Sequence, residues 1–586
     1  REAKANPRGK KSEMIRALDR LILFLGIALV PVGAILFHQE YRVLNLGLQE
    51  STEGTVAALI GMIPEGLYLL TSVALAVSAQ KLSRQRVLVQ DMNSIETLAR
   101  VDVLCVDKTG TITEPDMVVD NVIPLADSLP PEELEDLLTA MYGTTEPDNA
   151  TAKAMKELFS GSSSLVCSKR VPFSPETKWY GCEFEERGSF VVGAPEFLLQ
   201  DRPDSYGIGD WASQGYRVLL LAAYASPLEA GKLDASLVTP LALVLLTGKL
   251  RPKAKETFAY FKDQDVTVKV ISGDNARAVS EIARQAGIEN AETFIDATCL
   301  ITDEQIARAA ESYTVFGRVT PAQKQKLVRA MQAAGHTVAM TGDGVNDILA
   351  MKDADCSVAM ASGSEAAAQA AQVVLLDSDF ARMPDVVLEG RRVVNNIERS
   401  ASLFLVKNLF SLLLSVFSAV SFITYPLEPA QVSLIAMFTI GIPGFLLALE
   451  PNHARIEGSF LKKVLLRALP AALTDVLAVG ALVVCGEVFG LSDGDIATAA
   501  TMLLAVVGFM ILIRISKPLT KMKYAIIILN IAGLIFCGIF LKQLFALSDM
   551  SRICVLLMIV FTFAAESLFR YLTILAGKVN KRHNEK

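Results

Sequence analysis

Val101-Asp102-Val103-Leu104-Cys105-Val106-Asp107-Lys108-Thr109-Gly110-Thr111-Ile112-Thr113 is the stretch from which the rest of the chain can be organised. Its apolar half predicts a short buried strand that ends at Asp107. A carboxylate is thereby placed at the carboxyl end of a strand, where open α/β sheets present their ligands. The residues that follow are small, hydroxylated or glycine, so backbone N–H groups and hydroxyls can approach an anion closely, and Lys108 adds positive charge. A carboxylate in that position can attack phosphorus and form an acyl phosphate. An ordinary strand and turn would use the same residues, so the chemistry depends on partners elsewhere in the chain.

Composition narrows the class. With 586 residues, several domains are expected, and 52% hydrophobic residues with a mean hydropathy of +0.39 indicate a membrane protein. The net charge of -7 and the absence of a dense Lys/Arg patch argue against a nucleic-acid partner. The 8 cysteines form no Cys-x-x-Cys pair, so neither a disulfide framework nor a thiolate metal site is suggested.

Residues 1–17 read as a cytosolic linker, and residues 18–80 as two membrane helices with apolar spans at 18–38 and 55–79. The second contains Pro64-Glu65-Gly66, which should break the helix, free backbone carbonyls and set a carboxylate among them. Irregular backbone at that depth is tolerated where it is packed in protein or lines a cavity, and an intramembrane Glu is a candidate functional group. The bland alternative is a proline kink with a neutral, hydrogen-bonded Glu65. Six further spans are expected within 397–577, at 397–423, 431–449, 464–484, 497–513, 524–541 and 553–575, followed by a cytosolic tail over 578–586. Lys and Arg concentrate at 453–467, 514–523 and in the tail, and are missing from 425–430 and 489–496. The catalytic part and both termini are therefore expected in the cytosol.

Between the two groups of spans the chain is polar and far too long for a loop. Strand-like runs at 266–271, 337–340 and 356–360 complete a doubly wound, Rossmann-like sheet begun at residue 101, formed from 81–114 and 246–396. An α+β insertion occupies 115–245. Three segments could serve Asp107. Ser272-Gly273-Asp274 follows a strand and offers a hydroxyl and an N–H to phosphoryl oxygens. Lys324 stands near the start of an amphipathic helix. Thr341-Gly342-Asp343-Gly344-Val345-Asn346-Asp347 brings carboxylates and an amide to a strand end, hard oxygen ligands that suit Mg²⁺.

Asp107 to Thr113, DKTGTIT, resembles the phosphorylation signature of P-type ATPases, membrane pumps of the haloacid-dehalogenase superfamily, and the tightest resemblance is to the bacterial cation-transporting ATPase E branch, associated with calcium. The resemblance implies ATP as phosphoryl donor, a lipid bilayer and a transported cation as partners, and location in the cell membrane. It implies that Asp107 is phosphorylated in a loop with Lys108, Thr109 and Thr111, that Ser272, Gly273 and Asp274 form the second motif with Ser for the usual Thr, and that Lys324 neutralises the transferring phosphoryl group. Asp107, Asp343 and the Thr109 carbonyl would hold Mg²⁺, beside Asn346 and Asp347. In the insertion, Phe173 would stack on adenine, Lys178 would lie near the purine, Arg217 would face the phosphates, and Gly193 would belong to the same nucleotide site. Val192 stands where many members have Lys. Glu65 and Asn408 would bind the transported ion, while Ser411 replaces a Glu of animal reticulum calcium pumps and Thr439-Ile440-Gly441-Ile442-Pro443 lacks their Asp. Glu566 and Lys407 are ambiguous. No Thr-Gly-Glu actuator loop occurs in this sequence, and two helices expected before the first span are missing from it. Turnover is thus expected to need an upstream actuator segment. Alternatives are a pump for magnesium, manganese or protons, and a membrane phosphatase or regulatory protein that does not transport.

Overall fold

A computed structural model describes residues 13–584 apart from 126–128, 144, 148, 175, 201–205, 230, 232 and 457. Most of the linker expected over 1–17, and the last two residues of the tail, lie outside the described residues. The chain divides into two compact units, one holding Gln85–Ser94 and Val101–Asp385, the other holding Ile95–Arg100 with the membrane helices on either side. The expected domain edge at 396 falls inside one continuous helix, Met383–Ser421. No backbone break marks it, and the chain from Val386 onward clusters with the membrane helices.

In the first unit, an eight-stranded sheet is built in the order Val87–Val89, Val373–Leu375, Cys356–Met360, Val338–Gly342, Val103–Val106, Thr267–Ile271, Val315–Gly317 and Phe294–Asp296. All neighbours are parallel except the first pair. Strand Val103–Val106 is buried along its whole length, which is why it reads as a continuous apolar run rather than an alternating one. The strands on either side of it, Val338–Gly342 and Thr267–Ile271, both come later in the sequence. The connections leave it in opposite directions, so Asp107 sits at the topological switch point, where the crevice of such a sheet opens.

The insertion is a six-stranded antiparallel sheet ordered Thr113–Pro124, Val238–Leu250, Arg217–Tyr224, Gly188–Gly193, Trp179–Phe184 and Cys167–Val171. Its central strands alternate between two cores: Leu219 and Leu221 join helices Pro131–Tyr142 and Ala150–Leu158 on one face, whereas Val218, Leu220 and Ala222 pack with Leu198 and Leu199 on the other. The period of two along the strand thus buries both faces.

The second unit contains, among the described residues, eight helices long and apolar enough to cross a membrane. One of them is interrupted: helix Leu48–Met62 ends at Ile63, whose φ of -82° and ψ of 124° are extended, and a helix resumes at Glu65. Proline disfavours helical backbone in the residue before it, so Pro64 accounts for the break. The Ile60 carbonyl accepts from Lys407 Nζ at 3.4 Å and from the Ile63 N–H at 3.3 Å.

Close packing in the first sheet sets a stability expectation. A Cβ on Gly317 would lie 2.2 Å from the Ala276 backbone, at the head of the helix that follows Ser272-Gly273-Asp274. Overpacking of this kind costs roughly 1–3 kcal/mol. Gly317→Ala should lower the thermal unfolding midpoint of the cytosolic part, measured by differential scanning calorimetry, and an unchanged midpoint would contradict the packing.

Candidate active site and membrane polar groups

Asp107 caps the central strand, with φ -78° and ψ 150°, and its carboxylate accepts the N–H of Lys108 at 2.8 Å. Helix Pro321–Ala333 opens on a Thr320/Gln323 capping box, a device that fixes the first turn and therefore Lys324 within it. Lys324 Nζ lies 3.2 Å from Asp107 Oδ2 and 2.6 Å from Asp347 Oδ1. One buried ammonium thus bridges two carboxylates carried by different elements. Asp347 is held in turn by the Gly344 N–H at 3.3 Å, and a Cβ on Gly342 would come within 2.5 Å of its side chain, so this strand end requires glycine.

The loop after Asp107 is shaped by a second close approach. Gly110 has a φ of +72°, and a Cβ there would meet Asp343 Oδ2 at 2.1 Å. Its carbonyl is clamped by Arg251, whose Nε and Nη2 donate at 3.1 and 2.6 Å. Sequence reading passed over Arg251, because an isolated Arg-Pro after a strand carries no motif. Thr111 Oγ1 lies 3.4 Å from Thr341 Oγ1, linking the two adjacent strand ends. Lys108 pairs with Asp274, and the Asp274 N–H donates to Ser272 Oγ at 3.2 Å. Gly273, Thr109 and Asn346 are exposed at the same edge. The expected catalytic residues therefore gather around one strand end.

Carboxylate oxygens of Asp107, Asp343 and Asp347 lie within 4.8 Å of one another. Asp347 is engaged by Lys324, which leaves Asp107 and Asp343 as hard oxygen ligands that fit a magnesium ion. Burial pushes the Asp107 carboxyl up to about 6, against the opposing pull of Lys324 and with added repulsion from Asp347. Burial and then Asp347 likewise raise Asp343. Burial works against the Lys324 ammonium, but Asp107 and Asp347 outweigh it and raise its pKa.

In the insertion, Phe173, Lys178, Gly193 and Arg217 all line one cavity of about 300 Å³, together with Tyr180 and Val192. Lys178 has a φ of +59° and its carbonyl accepts the Ala194 N–H at 3.0 Å, which pins the two loops together. A Cβ on Gly193 would fall 2.6 Å from the Trp179 side chain.

In the membrane unit, the Asn408 side chain is 0% exposed and neither its Oδ1 nor its Nδ2 has a hydrogen-bond partner. Of Glu65 only the backbone is described, at the start of helix Glu65–Arg84. Glu566 is half exposed and 3.5 Å from Arg570, so it belongs to the surface. Glu40 and Asp475 are among the buried acids that escaped the sequence reading. Glu40 accepts the Tyr425 N–H at 3.2 Å, and Asp475 lies inside helix Phe460–Val488. A single carboxylate in a long apolar run was the available signal for Asp475.

Comparison with known proteins follows the same lines. A haloacid dehalogenase-like hydrolase family model matches residues 101–355. The probable cation-transporting ATPase exp7 of Streptococcus pneumoniae is 38% identical over 553 residues, covering 92% of this chain and 71% of that protein. The calcium-transporting ATPase CtpE of Mycobacterium bovis is 41% identical over 551 residues, covering 90% of this chain and 68% of that protein. Its counterpart in Mycobacterium tuberculosis is 43% identical, covering 79% of this chain and 59% of that protein.

Two outcomes are expected from this geometry. A carboxyl raised from 3.8 to about 6 contributes stability below pH 4 that is lost as pH rises through 6, so ionised Asp107 opposes folding at neutral pH. In magnesium-free buffer, Asp107→Asn should raise the unfolding midpoint at pH 7.5, with the gap closing towards pH 4. A lower midpoint at pH 7.5 would contradict this. Gly193→Ala should weaken nucleotide binding, measured by calorimetric titration with ATP, by about tenfold, the effect of roughly 1.4 kcal/mol. Undiminished affinity would remove that cavity from consideration.

Proposed function

This chain belongs to the P-type cation-transporting ATPases, and from that membership we propose that it uses ATP to phosphorylate Asp107 and to drive calcium across the membrane. ATP would occupy the cavity lined by Phe173, Lys178, Gly193 and Arg217. One Asp107 oxygen attacks the γ-phosphorus, the bond to the bridging oxygen breaks, and ADP departs. Lys324 holds the other oxygen of Asp107 and is itself held by Asp347, so the nucleophile is oriented while positive charge stands beside the transferring group. Arg251 fixes the Gly110 carbonyl and with it the loop against which the phosphoryl oxygens would rest. Lys108, paired with Asp274, joins the Ser272-Gly273-Asp274 turn to the same edge. Magnesium held by Asp107, Asp343 and the Thr109 carbonyl would offset the negative charge of the phosphates.

Asn408 carries the transport half of this reading. A buried amide with both polar atoms unpartnered forfeits roughly 1–3 kcal/mol for each unsatisfied group, a loss that a phosphatase without a cargo has no need to bear. The interrupted helix at Ile63 and Pro64 takes backbone carbonyls out of the regular helical ladder in the same unit. Oxygen ligands of this kind suit a hard divalent ion, and both CtpE relatives are named calcium-transporting ATPases. Magnesium, manganese and protons are the competing cargoes.

Reconstitution of the intact protein tests the proposal. Calcium should stimulate phosphate release, and Asp107→Asn should abolish it. Asn408→Ala should raise the calcium concentration for half-stimulation about tenfold, the loss of roughly 1.4 kcal/mol of ligand binding. Phosphate release indifferent to every cation tried would favour the phosphatase reading, and an unchanged calcium dependence in Asn408→Ala would remove that amide from the site.

A further inference from the structure

Helix Phe460–Val488 carries Asp475 in its buried middle. Asp475 is 3% exposed as a residue, and its Oδ1 has no hydrogen-bond partner. With Lys407, Ser411 and Thr439 it lines a cavity of about 40 Å³ whose other walls, including Phe410 and Leu504, are mainly apolar. That volume exceeds the roughly 10–15 Å³ needed to admit one water molecule. An uncompensated carboxylate at such a place costs at least about 2.5–3.5 kcal/mol, so something must neutralise it.

Three counter-charges can be weighed. A calcium ion takes roughly six to eight oxygen ligands, whereas the polar side chains of this cavity offer oxygen only from Asp475, Ser411 and Thr439, and the Lys407 ammonium in the same lining would repel the ion. Lys407 itself donates to the Ile60 carbonyl at the helix break, and it leaves Asp475 Oδ1 without a hydrogen bond. A proton needs only one oxygen and adds no volume.

We propose that Asp475 is a proton-carrying site of the membrane unit, loaded in the arrangement seen here and emptied as the transported cation is moved. The proposal rests on the transport reading above. Its chemistry is a plain proton transfer: the carboxyl O–H bond breaks, the proton passes to water on one side, and the carboxylate is reprotonated by water from the other.

Few other charges bear on this group. Of the elements that line the cavity, Met383–Ser421 contributes Lys407, whereas Pro429–Ile435, Ala436–Gly441 and Asp493–Ile515 contribute no ionisable side chain. On its own helix, Lys463 and Arg467 lie towards Glu398, at 3.8 and 2.9 Å, while Lys462 and Glu487 stand near the two ends. Of the other helices packed on it, Arg552–Asn584 presents Cys554, whose Sγ donates to the Asp495 carbonyl at 3.3 Å, and the Glu566–Arg570 pair. Asp493–Ile515 has Asp495, which accepts the Ser551 N–H at 3.4 Å, and Arg514, stacked over Phe569. Helix Glu13–His38 brings Glu13, which pairs with Arg100 at 2.9 Å, together with Arg16, Asp19, Arg20 and His38. None of these lines the cavity.

The test uses the intact protein in sealed vesicles that hold a calcium-sensitive dye and a pH-sensitive dye. ATP-driven calcium entry should be accompanied by proton exit. Asp475→Asn, shown to be folded by retained phosphorylation of Asp107, should reduce the protons moved per calcium at least twofold, and Asp475→Glu should restore the ratio. A variant with the same ratio as the unaltered protein overturns the assignment, as does calcium entry without any proton movement in the unaltered protein. Infrared difference spectra of the unaltered protein on calcium addition give a reading independent of any variant. Loss of a protonated-carboxyl band supports the site, and its absence overturns it. Absence of calcium entry altogether would instead overturn the transport reading.

Discussion

Two carboxylates on different elements share the single buried ammonium of Lys324, and a third, that of Asp343, has an oxygen within 4.8 Å of both. Charge at this point is out of balance on the protein's own account: buried ion pairs seldom add stability, because desolvation offsets the attraction. The arrangement persists because the surrounding backbone leaves no alternative. Gly110 and Gly342 admit Asp343 and Asp347 at distances no other residue allows, and Arg251 holds the loop by its carbonyl. An excess of negative charge around one cation is poorly suited to a resting core and well suited to a site that expects a phosphoryl group with its metal.

The membrane unit departs from ordinary packing in a related way. Asn408 and Asp475 are buried with polar atoms unpaired, and the helix at Ile63 gives up its regular hydrogen bonding before Pro64. Each forfeits stability locally, and local rules broken without an adjacent compensation mark functional positions more often than chance packing does.

Much of this was legible in the sequence, for identifiable reasons. Strand Val103–Val106 announces itself because a strand buried on both faces is uninterruptedly apolar, and Pro64 announces the helix break because its steric effect is local. The residues expected around Asp107 carry motif glycines whose necessity appears in the structure as close contacts. Arg251 was missed for the opposite reason, since it acts through a long-range contact that no local pattern encodes, and the lone carboxylate of Asp475 in an apolar run gives no sign of the cavity it lines. The edge of the phosphorylation domain was drawn at 396 because composition changes there, whereas helix Met383–Ser421 runs through that point unbroken. Glu566 drew attention as a membrane carboxylate, yet it is half exposed beside Arg570, a distinction that requires knowing which way the helix faces.

The central claim is that Asp107 is the group that accepts phosphate from ATP. Acid-quenched protein, incubated with ATP, magnesium and calcium and then digested, can be mapped by mass spectrometry for the site of phosphate attachment. The account predicts phosphate on Asp107 within the peptide that spans 101–113, removable by hydroxylamine. Phosphate on any other residue, or ATP hydrolysis at full rate with Asp107 never modified, would contradict it.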